Sequence, residues 1–95
     1  MSKRYKITVR AHITDEVEDR DVWAVNLIER SALPEQLKVG WFWETWPDRV
    51  ELIFPVASDE SKIQHLTAAV ESVMGTARHL VSKPEITVAE EINDA

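Results

Sequence analysis

The chain has no cysteine. That excludes disulfides, thiolate nucleophiles and cysteine-ligated zinc or iron–sulfur centres, and it fits a reducing compartment. Glycine is almost as scarce: Gly40 and Gly75 are the only two. No phosphate-cradling loop, dinucleotide fingerprint or nucleophile elbow can be built from them. No apolar run approaches the roughly 18–20 residues of a membrane-spanning helix. Met1 to Lys6 leads into a strand pattern without the apolar stretch of a signal peptide, so the expected location is the cytoplasm. Basic residues are outnumbered, and the net charge of −6 argues against a dedicated binder of phosphate backbones.

Tryptophan, by contrast, is abundant, with four in 95 residues. Burying one fully removes on the order of 200 Å² of mostly apolar surface, about 5 kcal/mol at most. Hydrophobic residues make up 44% and charged residues 29%, the balance of a folded chain rather than a disordered one. The length suits a single domain over 1–95, with an ordered core over about 4–89 and a frayed tail over 90–95. Charge is unevenly placed. Lys3, Arg4, Lys6 and Arg10 precede a segment holding Asp15, Glu16, Glu18, Asp19 and Asp21, and only acids follow Lys83.

Tyr5, Ile7, Val9, Ala11 and Ile13 alternate with Lys6, Thr8, Arg10 and His12, which predicts a strand with one buried face. Asp15 to Glu18 reads as a capping box for a helix. Its stripe would be Val17, Ala24, Ile28 and Ala32, flanked by Val25 and Leu27, and Pro34 would close it. Alternation resumes from Leu37 to Trp46, with Val39, Trp41 and Trp43 on one side. After the turn at Trp46 to Arg49 it continues with Val50, Leu52, Phe54 and Val56, a hairpin. Ser58 is placed to cap a second helix with the stripe Ile63, Leu66, Val70, Val73, Met74 and Ala77, ending near Gly75. A last extended stretch starts at Arg78 and is interrupted by Pro84, which allows one bulged strand or two short ones. The order predicts an α+β fold, a ferredoxin-like βαββαβ sandwich whose antiparallel sheet carries two helices on one face.

In that fold Arg4, Lys6, Thr8, Arg10 and His12 form a basic row on the sheet's open face. A single-strand nucleic-acid binder needs stacking rings beside such a row. Glu51 stands where a ring would help most, and Phe42 is the lone aromatic there. Cross-strand ion pairs with Glu51 or a C-terminal glutamate are the expected use of the row, and nucleic acid is not an expected partner. Among His12, His65 and His79, none are spaced to clip a metal. His12 and His79 could meet across strands near Glu51, but a solvated histidine is the plainer expectation. Trp41 and Trp43 are expected in the core, whereas Trp46 before Pro47 is harder to bury. Trp23 lies off the first helix's stripe, beside Leu27, where either a partner or a neighbouring element would cover it.

These features predict a non-enzymatic protein-interaction or regulatory module, a homodimer without cofactor, metal or catalytic residues. Its binding residues would be Trp23, Leu27, Phe42, Trp46, Arg10, His12 and Ile53. One rival is a cofactor-free enzyme of the ferredoxin-like monooxygenase or isomerase type, which needs a cavity reaching Tyr5 and a tryptophan. The other is a small acidic inhibitor, such as an immunity or phage anti-defence protein, steered by the acids at 15–21.

Overall fold

Alternating apolar residues give the first strand its two faces, and everything else is arranged around it. The computed structural model describes residues 3–13, 18–77 and 81–91. They form β1 (Lys3–Ile13), α1 (Arg20–Glu29), α2 (Glu35–Lys38), β2 (Phe42–Thr45), β3 (Arg49–Ser58), α3 (Glu60–Thr76) and β4 (Val81–Glu90). The strands make one antiparallel sheet in the order β2-β3-β1-β4. The fold is therefore α+β, with a four-stranded antiparallel sheet and three helices. No helix among the described residues is long and apolar enough to cross a membrane.

Tyr5, Ile7, Val9, Ala11 and Ile13 on β1 are buried, as are Val50, Leu52, Phe54 and Val56 on β3. They form one cluster with Ala24 and Ile28 of α1 and with Ile63, Leu66, Val70 and Met74 of α3. Both long helices thus cover the same side of the sheet. Each fully buried Ile, Leu, Val or Phe contributes about 1.5–3 kcal/mol. The predicted stripe of α3 is buried except Val73, which is half-buried against the cluster.

Several boundaries differ from the sequence pattern. Residues 14–17, and with them most of the predicted capping box, lie outside the described residues. The N-cap of α1 is Asp19, whose carboxylate accepts from the Val22 amide at 3.1 Å. That bond satisfies an amide left open in the helix's first turn. The helix ends before Ala32, which is exposed, and Pro34 instead opens α2. The strand predicted from Leu37 is shortened for the same reason: Glu35–Lys38 close a helical turn that buries Leu37, and Val39 is left 65% exposed. Ser58 does not cap α3. It ends β3, buried, and Asp59 occupies the cap position. Gly75 lies inside the last turn of α3, which ends at Thr76.

Pro55 sits in a central strand, where a missing N–H normally costs a ladder bond. The Trp46 amide donates to the Arg49 carbonyl at 2.8 Å, which sets the phase of the β2–β3 ladder. In that phase residue 55 faces the β2 side, beyond Phe42, where β2 no longer runs. The proline removes a donor for which β2 offers no acceptor.

The last strand is one bulged strand over 81–90; residues 78–80 lie outside the described residues. Arg10 pairs with Glu85 but His12 with Ser82, so β4 carries one extra residue there, next to Pro84. Residues 90 and 91, predicted to start the frayed tail, are paired instead, and residues 92–95 lie outside the described residues. Glu90 pairs with Tyr5, and the Glu91 amide donates to the Arg4 carbonyl at 2.8 Å.

Candidate interaction surface

The side of the sheet away from the helices is built from cross-strand rows, which the register defines. One row runs Glu44, Glu51, Arg10, Glu85, alternating in sign from Glu51 onward. The next runs Phe42, Ile53, Thr8, Thr87. Beyond it come Pro55, Lys6 and Ala89, then Ala57 and Arg4. Among the described residues no helix covers these rows.

Charge on this face is matched around Glu51. Glu51, only 15% exposed at its side chain, is shared by Arg10 at 3.8 Å and Arg49 at 3.7 Å. Arg49 also lies over the Trp46 ring, its guanidinium carbon 4.6 Å from the ring centroid. The His12 Nδ1 is 3.3 Å from the Asp48 carbonyl. Arg10, His12, Arg49 and Glu85 line a hollow of about 360 Å³. Among the described residues, no group of three or more His, Cys, Asp or Glu side chains could hold a metal ion. His79 and Leu80 lie outside the described residues, so the His12–His79 pairing does too.

Ile53, one of the predicted binding residues, offers little surface for contact. It faces the uncovered side, outside the main core cluster, yet is only 5% exposed. The register sets it between Phe42 and Thr8, with Glu51 and Pro55 two residues away on its own strand. Phe42, at the sheet's margin with a neighbour on one side only, is 43% exposed.

The helix side holds the other aromatics. Trp43 pairs opposite Leu52, and its ring lies 5.1 Å from Trp41, which is 6.1 Å from Phe54. Both indole N–H groups find carboxylates on α1. Trp43 donates to Asp21 at 2.7 Å and Trp41 to Glu29 at 3.2 Å. These bonds hold the first and last turns of α1 to the hairpin. Nothing in the sequence spacing signals them, because donors and acceptors belong to different elements.

The predicted binding residues therefore separate. Arg10, His12, Ile53 and Phe42 share the uncovered face. Trp46 stands at the hairpin end, half-buried, its carbonyl accepting from Arg20 at 2.9 Å. Trp23 and Leu27 belong to the helix layer, where both pack half-buried against the core. Leu27 also lines a groove of about 440 Å³ with Arg30, Ser72 and Val73. Tyr5 is buried, and its hydroxyl has no partner among the described residues. The hollow it borders, about 140 Å³, is otherwise lined by Arg4, Pro55, Val56, Ala57 and Glu91, without a tryptophan.

No family model matches the chain, and no curated protein does. Solved structures similar to it include the crystal structure of the NE2512 protein of unknown function from Nitrosomonas europaea. The match spans 98% of this chain and 93% of that one, at 16% identity and a TM-score of 0.66. Such a likeness shows the fold alone.

Proposed function

We propose that the chain is a non-enzymatic protein-interaction or regulatory module, a homodimer on a ferredoxin-like βαββαβ sandwich, which takes a protein partner on the uncovered face of its sheet. The strand order β2-β3-β1-β4, with α1 and α3 packed on one side, supports the topology. The observation that carries the functional reading is the composition of the other side. Arg10 and Arg49 there are engaged with Glu51, and Phe42 stands exposed beside them. A matched charge cluster next to an exposed ring suits a protein surface, which supplies apolar contact and does not demand a net positive field. Glu44, Glu51 and Glu85 among the arginines disfavour a polyphosphate ligand.

The test compares capture of binding proteins by the intact chain and by its Phe42→Arg and Trp23→Ala variants. Phe42→Arg is expected to lose at least tenfold in affinity for any partner held through this face, with its melting temperature unchanged. Partners bound equally by wild type and both variants would overturn the reading.

A further inference from the structure

We infer that the outer edge of β4 is a self-complementary seam, which pairs antiparallel with β4 of a second copy about a two-fold axis at Thr87. The inference deepens the homodimer part of the proposal above and rests on it.

The edge is open by construction. β4 ends the sheet's order, and among the described residues no strand lies beyond it. The opposite edge, β2, is four residues long, whereas β4 has ten. The bond from the Glu91 amide to the Arg4 carbonyl sets the phase of the β1–β4 ladder. Residues 85, 87, 89 and 91 direct their backbone groups to β1, so those of Ile86, Val88 and Glu90 point outward. Such a row is a template for another strand unless charge, proline or a bulge blunts it. Pro84 and the bulge blunt its start only.

Side chains beside the row favour contact. Val88 is on the helix side yet 43% exposed. With Ile63, Gln64, Thr67, Ala68 and Glu71 of α3 it lines a hollow of about 340 Å³.

Register selects the occupant. Two-fold pairing centred on Thr87 sets Ile86 opposite Val88 of the second copy, and Val88 opposite Ile86. Both pairs lie on the helix side and exchange both backbone hydrogen bonds. Thr87 then meets Thr87 on the other face, a favourable cross-strand pair, and Glu85 meets Ala89. Pro84 falls opposite Glu90, at the end of the ladder. Shifting the axis to Val88 sets Glu85 against Glu91 and Ile86 against Glu90. Shifting it to Ile86 brings Pro84 into the ladder opposite Val88. Only the Thr87 register matches apolar with apolar, keeps like charges apart and holds Pro84 at the end of the ladder, and the strand that offers this match is β4 itself.

The experiment is molar mass by light scattering on the full chain and its variants, with thiol cross-linking, for which the cysteine-free sequence gives a clean background. Wild type is expected at twice the 10.9 kDa chain mass. Val88→Pro removes an outward amide, leaves the β1 ladder intact, and is expected at the chain mass while still unfolding cooperatively. Val88→Lys should dissociate the dimer in the same way without altering the backbone. Directly opposed residues at a non-hydrogen-bonded pair are about 4.5 Å apart at Cα, within disulfide range. Thr87→Cys should therefore form a covalent dimer under mild oxidation, and Val88→Cys should not.

A monomeric wild type at every concentration overturns the seam, as does a dimer that survives both Val88 variants. Cross-linking of Val88→Cys but not Thr87→Cys overturns the register. A dimer dissolved by Phe42→Arg and not by Val88→Pro also overturns the seam, by moving self-association to the uncovered face. Loss of partner capture by Phe42→Arg with the dimer intact leaves the seam standing and supports the module reading separately.

Discussion

The two faces of the sheet come from the same strands, one residue out of step, and they exclude water by different means. On the helix side, Ile7, Val9, Leu52 and Phe54 are enclosed because a second layer lies on them. On the other side no second layer lies among the described residues, and side chains cover one another across the ladder. Ile53 is as buried as Val56, though they point to opposite sides. Its cover is its cross-strand row. Glu51 is sheltered in the same way by two arginines. A half-open sheet can thus hide one aliphatic side chain and one carboxylate without a helix, provided that each has a neighbour on both flanking strands. Phe42, with a strand on one side only, stays exposed.

Truncations at adjacent positions of β3 break or sharpen this contrast. Phe54→Ala opens a cavity between two layers and should cost about 3–5 kcal/mol in denaturant unfolding, the largest effect expected anywhere in the chain. Ile53→Ala removes a comparable side chain from the uncovered face, where solvent and long neighbours can fill the space. About 2 kcal/mol is expected, the low end for buried aliphatic truncation. Equal costs would mean that something encloses the uncovered face as fully as the helices enclose the other.

Smaller effects test the polar devices on each side. Asp19→Ala leaves the first turn of α1 without its cap and should cost about 1 kcal/mol, recovered in large part by Asp19→Asn. Thermal melts of the three chains would show it. Arg10→Ala on the uncovered face should cost about 0.5 kcal/mol or less, since Arg10 is more than half exposed and Arg49 still flanks Glu51. That loss should shrink further in high salt. A cost above that of the cap would mean the charge cluster carries stability and is more than a matched surface.

Much of this architecture is legible in the chain because it is periodic. The alternation in β1 and β3 and the stripe of α3 each report a face without reference to any other element. Arg10 with Glu51 was legible as well, since a hairpin and a central strand bring them opposite. The boundaries were not. Leu37 suits a strand's alternation and a helical turn's buried side equally, and what decides is the pocket it fills. The cap of α1 was misplaced because acids at 15, 16, 18 and 19 are locally equivalent. The predicted binding set mixed both layers because a residue lying off a helix stripe can still be covered, as Trp23 is by the core's margin.

By itself the sequence determined which residues seek burial, where the two long helices and the hairpin form, and which chemistries are closed to a chain with no cysteine and two glycines. These follow from local pattern and composition. Only the tertiary structure decided that Pro55 costs no hydrogen bond, that Trp41 and Trp43 tie down α1, that Ile53 is hidden without a second layer, and that β4 carries the long open edge. Each depends on the phase or order of strands distant in sequence. A residue's own neighbours do not encode which strand stops short beside it.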